Sequence, residues 1–167
     1  MTLVVKNLQK VVDFNIGLLE NHVMLLRRLM DITSFDLAIV CYDKKSIHRL
    51  NKTYRGVDES TDVLAFPFIE VFKPGVLPFI KDPEERILGD IVLGIPYIKE
   101  NLGEKEKLEE VLPVMVTHGI CHLIGYDHED EVQWKQMYQK ELNILQKFNN
   151  QTGYYCKPLL GVGHFIQ

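Results

Sequence analysis

The chain has 167 residues, 46% hydrophobic and 25% charged, the composition of one ordinary globular domain over 1–167 with a real core. No uninterrupted apolar run approaches the roughly 18 residues of a membrane span, so an integral membrane protein is excluded. The net charge of -4 argues against nonspecific coating of nucleic acid, which rests on many cations; RNA contact has to come from a local patch, and no DNA partner is expected.

In chain order, "TLVVKNL" reads as a strand, within an N-terminal "MTLVVKNLQKVVDF" that has no long apolar stretch of a secretory signal and makes a poor transit peptide. "IGLLENHVMLLRRLMDI" follows as an amphipathic helix, with Leu18, Leu19, Val23, Leu26, Leu29 and Met30 at helical spacing. In "FDLAIVCY", Phe35, Leu37, Ile39 and Cys41 alternate as in a second strand. Asp43 is placed to cap the next helix and Gly56 to end it. "TDVLAFPF" and "ILGDIVLGI" are two more strands, separated by a loop containing Pro74, Pro78 and Pro83. Two late helices run from about Lys107 to Ile124, with Pro113 a kink or restart, and from Asp130 to Asn149. These elements predict an α/β (α+β) fold: a mixed four-stranded sheet with helices packed on it. Three widely spaced cysteines, Cys41, Cys121 and Cys156, suggest neither a disulfide framework nor a zinc ribbon, and so a reducing compartment.

The stretch "HGICHLIGYDH", residues 118–128, holds three histidines. His118 and His122 are one helical turn apart and project from one face, close enough for both imidazoles to reach an ion at about 2.0–2.1 Å. Gly125 can end the helix and turn His128 back toward them. Three nitrogen ligands suit zinc, one ion per chain, and leave a fourth position for water, as in catalytic sites. A lone histidine is more often packed than ligating; three at HxxxHxxGxxH spacing reverse that expectation. His22, His48 and His164 have no such partners and receive no metal role. Cys121 is turned about 60° from His118 on the helix and reads as a small buried residue. Asp127 is either an orienting partner of a liganded histidine or an ordinary surface acid. Zinc proteases with a similar spacing need a glutamate beside the first histidine; here that residue is Gly119, which weakens the protease reading.

In "DKKSIHRLNKTYRG", Ile47, Leu50 and Tyr54 share one side of a helix, and Lys44, Lys45, His48, Arg49, Lys52 and Arg55 cover the other. That face is either a solvated charged surface or a phosphate track in which Lys45, Arg49, Lys52 and Arg55 bind RNA. Tyr54, Phe66 and Tyr126 lie near the motifs and could take splayed bases, although core packing is the expectation for them.

"LNKTYRGVDESTDVLAFPF", "LGDIVL" and "HGICHLIGYDH", in this order along the chain, resemble the YbeY family of metal-dependent, single-strand-specific endoribonucleases that mature ribosomal RNA. The resemblance runs from about Phe35 to Phe148, and the opening "LVVKNLQKVV" is similar to the animal, mitochondrial members. It implies zinc on His118, His122 and His128, Arg55 as a catalytic or RNA-binding residue beside the metal-bearing His118, and a groove for single-stranded RNA. It also implies a role in small-subunit ribosome maturation, possible contact with a small-subunit ribosomal protein, and a mitochondrial location, or a cytoplasmic one for a bacterial-type member. Two positions depart from the family pattern: Ala65 where serine is usual, and Ser60 where proline is usual. The competing readings are a zinc metalloprotease-like hydrolase and a noncatalytic ribosome-assembly factor.

Overall fold

The computed structural model describes residues 2–162, so His164 lies outside the described residues. Four strands, β1 (Leu3–Asn7), β2 (Asp36–Tyr42), β3 (Val63–Pro67) and β4 (Ile87–Gly94), form one sheet in the order β1-β2-β4-β3. β2 runs parallel to both β1 and β4, whereas β3 pairs antiparallel with β4 and leaves its other edge open. This is the mixed four-stranded sheet that the periodicities predict.

Among the described residues, five α-helices accompany the sheet: α1 (Ile16–Leu29), α2 (Lys44–Arg55), α3 (Ile95–Glu100), α4 (Leu108–Leu123) and α5 (Glu131–Thr152). Strand alternation sorts them into layers. On β4, Ile91 and Leu93 face a large core built with Leu26 of α1, Val116 and Ile120 of α4, and Phe148 of α5. Val92 points the other way, into a smaller cluster with Ile47 of α2 and Leu64 of β3. The sheet therefore separates α2 from α1, α4 and α5.

Local chemistry sets most helix boundaries. Asn15 and Asp43 cap α1 and α2 by accepting the N–H of Leu18 (3.0 Å) and Ser46 (2.7 Å), and Gly56 closes α2 in the left-handed conformation. Three expectations need correction. Pro113 does not restart its helix: α4 runs through it as one element. The last strand stops at Gly94, and Ile95 opens α3, a helix of six residues whose apolar Ile95 and Ile98 continue the hydrophobic run of β4. The apolar stripe of α2 also does not stay buried. Ile47 is 0% exposed, but Tyr54 at the far end is 67% exposed, so that end lies outside the small cluster.

His22 packs edge-on against Phe148 and Tyr154, with ring centroids 5.3 and 5.4 Å away. Burial lowers its pKa, opposed by the charge of Glu109. The folded state thus keeps the imidazole neutral at pH values where the unfolded chain already takes up a proton. The unfolded state binds more protons below about pH 6.5, so stability is full above that value and falls as the pH drops. Thermal denaturation of the zinc-loaded protein is expected to show a melting temperature that declines from pH 6.5 to pH 5, with a shallower decline in His22→Leu.

Candidate metal centre and groove

α4 carries His118 and His122 on one face, and its end places His128. The helix stops at Leu123, and Gly125, at φ 101°, donates its N–H to the His122 carbonyl (3.1 Å) while Tyr126 N–H reaches Cys121 (2.9 Å). A side chain at Gly125 would also collide with Val71, so glycine is required twice over. The turn brings His128 back as its position predicts: ring centroids are 4.7 Å apart for His118 and His122, 5.3 Å for His118 and His128, and 5.0 Å for His122 and His128. One nitrogen from each ring lies within 4.8 Å of the other two.

The hydrogen bonds around the rings select their tautomers. His118 Nδ1 is 3.2 Å from the Glu141 carboxylate, and His122 Nδ1 is 3.0 Å from the Tyr126 carbonyl. Each contact needs a proton on Nδ1, which leaves the lone pair on Nε2. The two Nε2 atoms face each other at 3.2 Å. Two unprotonated nitrogens at that distance repel unless a cation lies between them, and a tetrahedral ion with bonds of about 2.0–2.1 Å separates its ligands by about 3.4 Å. The donor set therefore fits a metal ion. Burial, reinforced by His118 and His128, pushes the His122 imidazole down to about 4, which keeps it neutral at physiological pH, the form a metal ion requires.

Glu141 is the residue that motif reading misses. It is 2% exposed on α5, at the spacing of the stripe Trp134, Met137, Ile144, Phe148, where an apolar side chain belongs. A lone carboxylate in such a stripe is the sequence signal, and its buried partner, His118, is the explanation. Outer partners of liganded histidines hold ring orientation and raise ligand basicity. Glu141→Gln is accordingly expected to weaken zinc binding about 10- to 100-fold in a chelator competition titration, while the fold is retained. Asp127 accepts the backbone N–H of His128 (2.8 Å) and so helps to shape the turn. Cys121 is fully buried, and burial raises its thiol pKa well above the usual range, in keeping with a packing residue.

The loop between β3 and β4 braces this turn. Lys73, Pro74, Gly75 and Val76 form a tight turn closed by Val76 N–H on the Lys73 carbonyl (3.0 Å), with proline and a positive-φ glycine in the order that a type II turn requires. Gly75 donates its N–H to the Ile124 carbonyl (2.9 Å), and a Cβ there would come 2.6 Å from the Tyr126 hydroxyl. The loop thus packs directly on the residue whose carbonyl holds His122.

The histidines open into a groove of about 1030 Å³ that follows β3. Val63 and Ala65 pack toward the large core, and Leu64 and Phe66 toward the smaller one, so the groove meets both sides of the strand. Tyr54, Arg55 and Phe66 line it together with His118, His122, Tyr126 and His128. The structure thereby brings Arg55 into the same cavity as the three histidines. Lys45, Arg49 and Lys52 are not among the groove's lining residues. The basic face of α2 is also partly neutralised, by Lys44 with Glu100 (2.8 Å), His48 with Asp58 (2.7 Å) and Lys52 with Asp58 (3.8 Å). Tyr54, Phe66 and Tyr126 border the groove; Phe66 and Tyr126 also pack against the cores, as expected, whereas Tyr54 does not. Gly119 also lines it, and a Cβ there would meet the Ile91 side chain at 3.0 Å. The position of a zinc-protease glutamate is occupied by helix-to-sheet contact.

A partly buried three-histidine site beside the edge strand of a mixed α/β sheet defines a metal-binding class of protein, and comparison with known proteins specifies it. The family model described as Endoribonuclease YbeY matches residues 5–149. A human protein named Endoribonuclease YbeY is 42% identical over 159 residues, covering 95% of each chain, and one from Clostridioides difficile is 35% identical over 117 residues, covering 70% of this chain and 73% of its own. A solution structure of a Thermotoga maritima protein shares the fold, with a TM-score of 0.54 at 24% identity over 95% of this chain and 99% of that one. The chain belongs to the YbeY endoribonuclease family, and its histidine cluster makes it a metal-dependent nuclease.

Proposed function

We propose that this chain, acting as a single domain, is a zinc-dependent endoribonuclease that cleaves single-stranded ribosomal RNA during maturation of the small ribosomal subunit. The observation that carries this reading is the presence of Arg55 and the histidine triad in one open groove along the exposed edge of β3. Zinc, when bound, supplies Lewis acidity and lowers the pKa of a bound water toward neutrality. The protein's own contribution is to hold and to shield. Glu141 and the Tyr126 carbonyl fix the rings of His118 and His122. Arg55 offers a guanidinium fork to the scissile phosphate and to the charge that develops on it.

A mitochondrial site of action belongs to the same proposal. Its support is the likeness of "LVVKNLQKVV" to animal members, and imaging of the tagged full-length protein in animal cells tests it. A small-subunit ribosomal protein is the partner class proposed beside RNA.

The decisive experiment measures zinc by elemental analysis and, on the same sample, cleavage of a single-stranded RNA, its duplex form and casein. About one zinc per chain with cleavage confined to the single strand is the expected result. Casein cleavage instead would establish a protease. RNA binding without cleavage in the zinc-loaded protein would leave an assembly factor.

A further inference from the structure

We propose that Tyr54, backed by Phe66, is a base-stacking subsite of the groove and a source of its preference for single strands; this rests on the RNA-cleaving reading above. Tyr54 is 67% exposed although it belongs to the apolar side of α2. Its ring does not lie loose on the surface. Phe66 meets it edge-on, with centroids 5.3 Å apart and planes at 74°. This geometry is favourable for aromatic pairs and fixes the orientation of the tyrosine ring. Phe66 is in turn held by β3, opposite Asp90 of β4, and packs against the Ile47, Leu64 and Val92 cluster. The platform is thus rigid at its base and open at its top.

Its position identifies the ligand. Tyr54 and Phe66 line the same groove as the three histidines, and Arg55 follows Tyr54 directly in the last turn of α2. An aromatic surface beside a guanidinium is the combination that single-stranded nucleic acid uses: a base stacks on the ring while the adjoining phosphate meets the cation. A base can reach the ring only after leaving its own stack, so a paired strand forfeits the contact. Tyr54 therefore reads whether the strand is unpaired, independently of base identity, because every base has a π-face.

The test uses zinc-loaded wild type, Tyr54→Ala and Tyr54→Phe, with a single-stranded oligoribonucleotide containing 2-aminopurine and with its duplex. Base fluorescence is followed on rapid mixing, and KM and kcat for cleavage are measured on the same samples. The expected result for Tyr54→Ala is a KM for the single strand raised about 5- to 150-fold, loss of the rapid fluorescence change, and a smaller change in kcat. Tyr54→Phe should stay within about 2-fold of wild type, because the ring and not the hydroxyl is the platform. An unchanged KM and an unchanged fluorescence signal in Tyr54→Ala would overturn the proposal. So would a fall in kcat and zinc content with KM constant, the mark of a merely structural residue. Wild type that alters the fluorescence but does not cleave would support the stacking subsite and refute the nuclease reading. Wild type that does neither would overturn both.

Discussion

His122→Ala is expected to abolish stoichiometric zinc binding and, with it, RNA cleavage. Removal of an outer partner such as Glu141 costs about 10- to 100-fold in metal affinity, and removal of a direct ligand costs more because two nitrogens cannot enclose the ion. His122 is the informative choice among the three. His118 is 5% exposed and paired with the buried Glu141, so its deletion would strand a carboxylate in the core and threaten the fold itself. His122 is only partly buried, and its Nδ1 partner is a backbone carbonyl. The variant should therefore fold, as judged by circular dichroism, while elemental analysis finds less than stoichiometric zinc and cleavage falls to background. Retention of one zinc per chain by this variant would remove His122 from the ligand set.

Replacement of Arg55 by alanine should lower kcat about 10²- to 10³-fold, the usual cost of losing one group aimed at developing charge. Zinc content should stay at wild-type level, because Arg55 lines the groove without belonging to the histidine cluster. Stability should move by no more than about 0.5 kcal/mol, since the residue is exposed in the last turn of its helix. Arg55→Lys keeps the charge but loses the planar fork, so it should recover only part of the rate. Steady-state kinetics on a single-stranded substrate, with melting curves on the same proteins, decide the matter. A kcat within about 3-fold of wild type in Arg55→Ala would place the arginine outside the chemistry.

Gly119 separates this site from that of the zinc proteases more firmly than its identity alone. The glycine lets α4 approach β4 closely enough for Ile91 to fill the space of a side chain. A glutamate there would press its Cβ against the Ile91 side chain, at 3.0 Å, and force the two to shift apart. With glycine at that position, this chain has no general-base carboxylate beside His118 in sequence.

The sequence by itself determined what depends on near neighbours. Alternation and helical spacing located the four strands and the long helices; Asp43 and Gly56 marked the ends of α2, because caps are local. The histidines were legible for the same reason: two lie a turn apart, and the third returns through a glycine only three residues further on. Helical spacing placed Arg55 on a basic face, but its place beside the histidines was legible only through the resemblance of "YRG" to a known family, since nothing in local spacing ties residue 55 to residue 118. The remaining features required the tertiary structure, because they join segments far apart in the chain. Glu141 reaches His118 from another helix, and the Pro74–Gly75 turn braces Tyr126 from a loop about fifty residues earlier. Lys52 and His48 share Asp58 as an ion-pair partner, which reduces the basic face expected on α2. Tyr54 belongs to the apolar side of its helix by sequence, and only the packing leaves its ring beside the open edge of β3. Periodicity reports which side of an element is apolar; where the neighbouring layer ends is decided by the assembled fold.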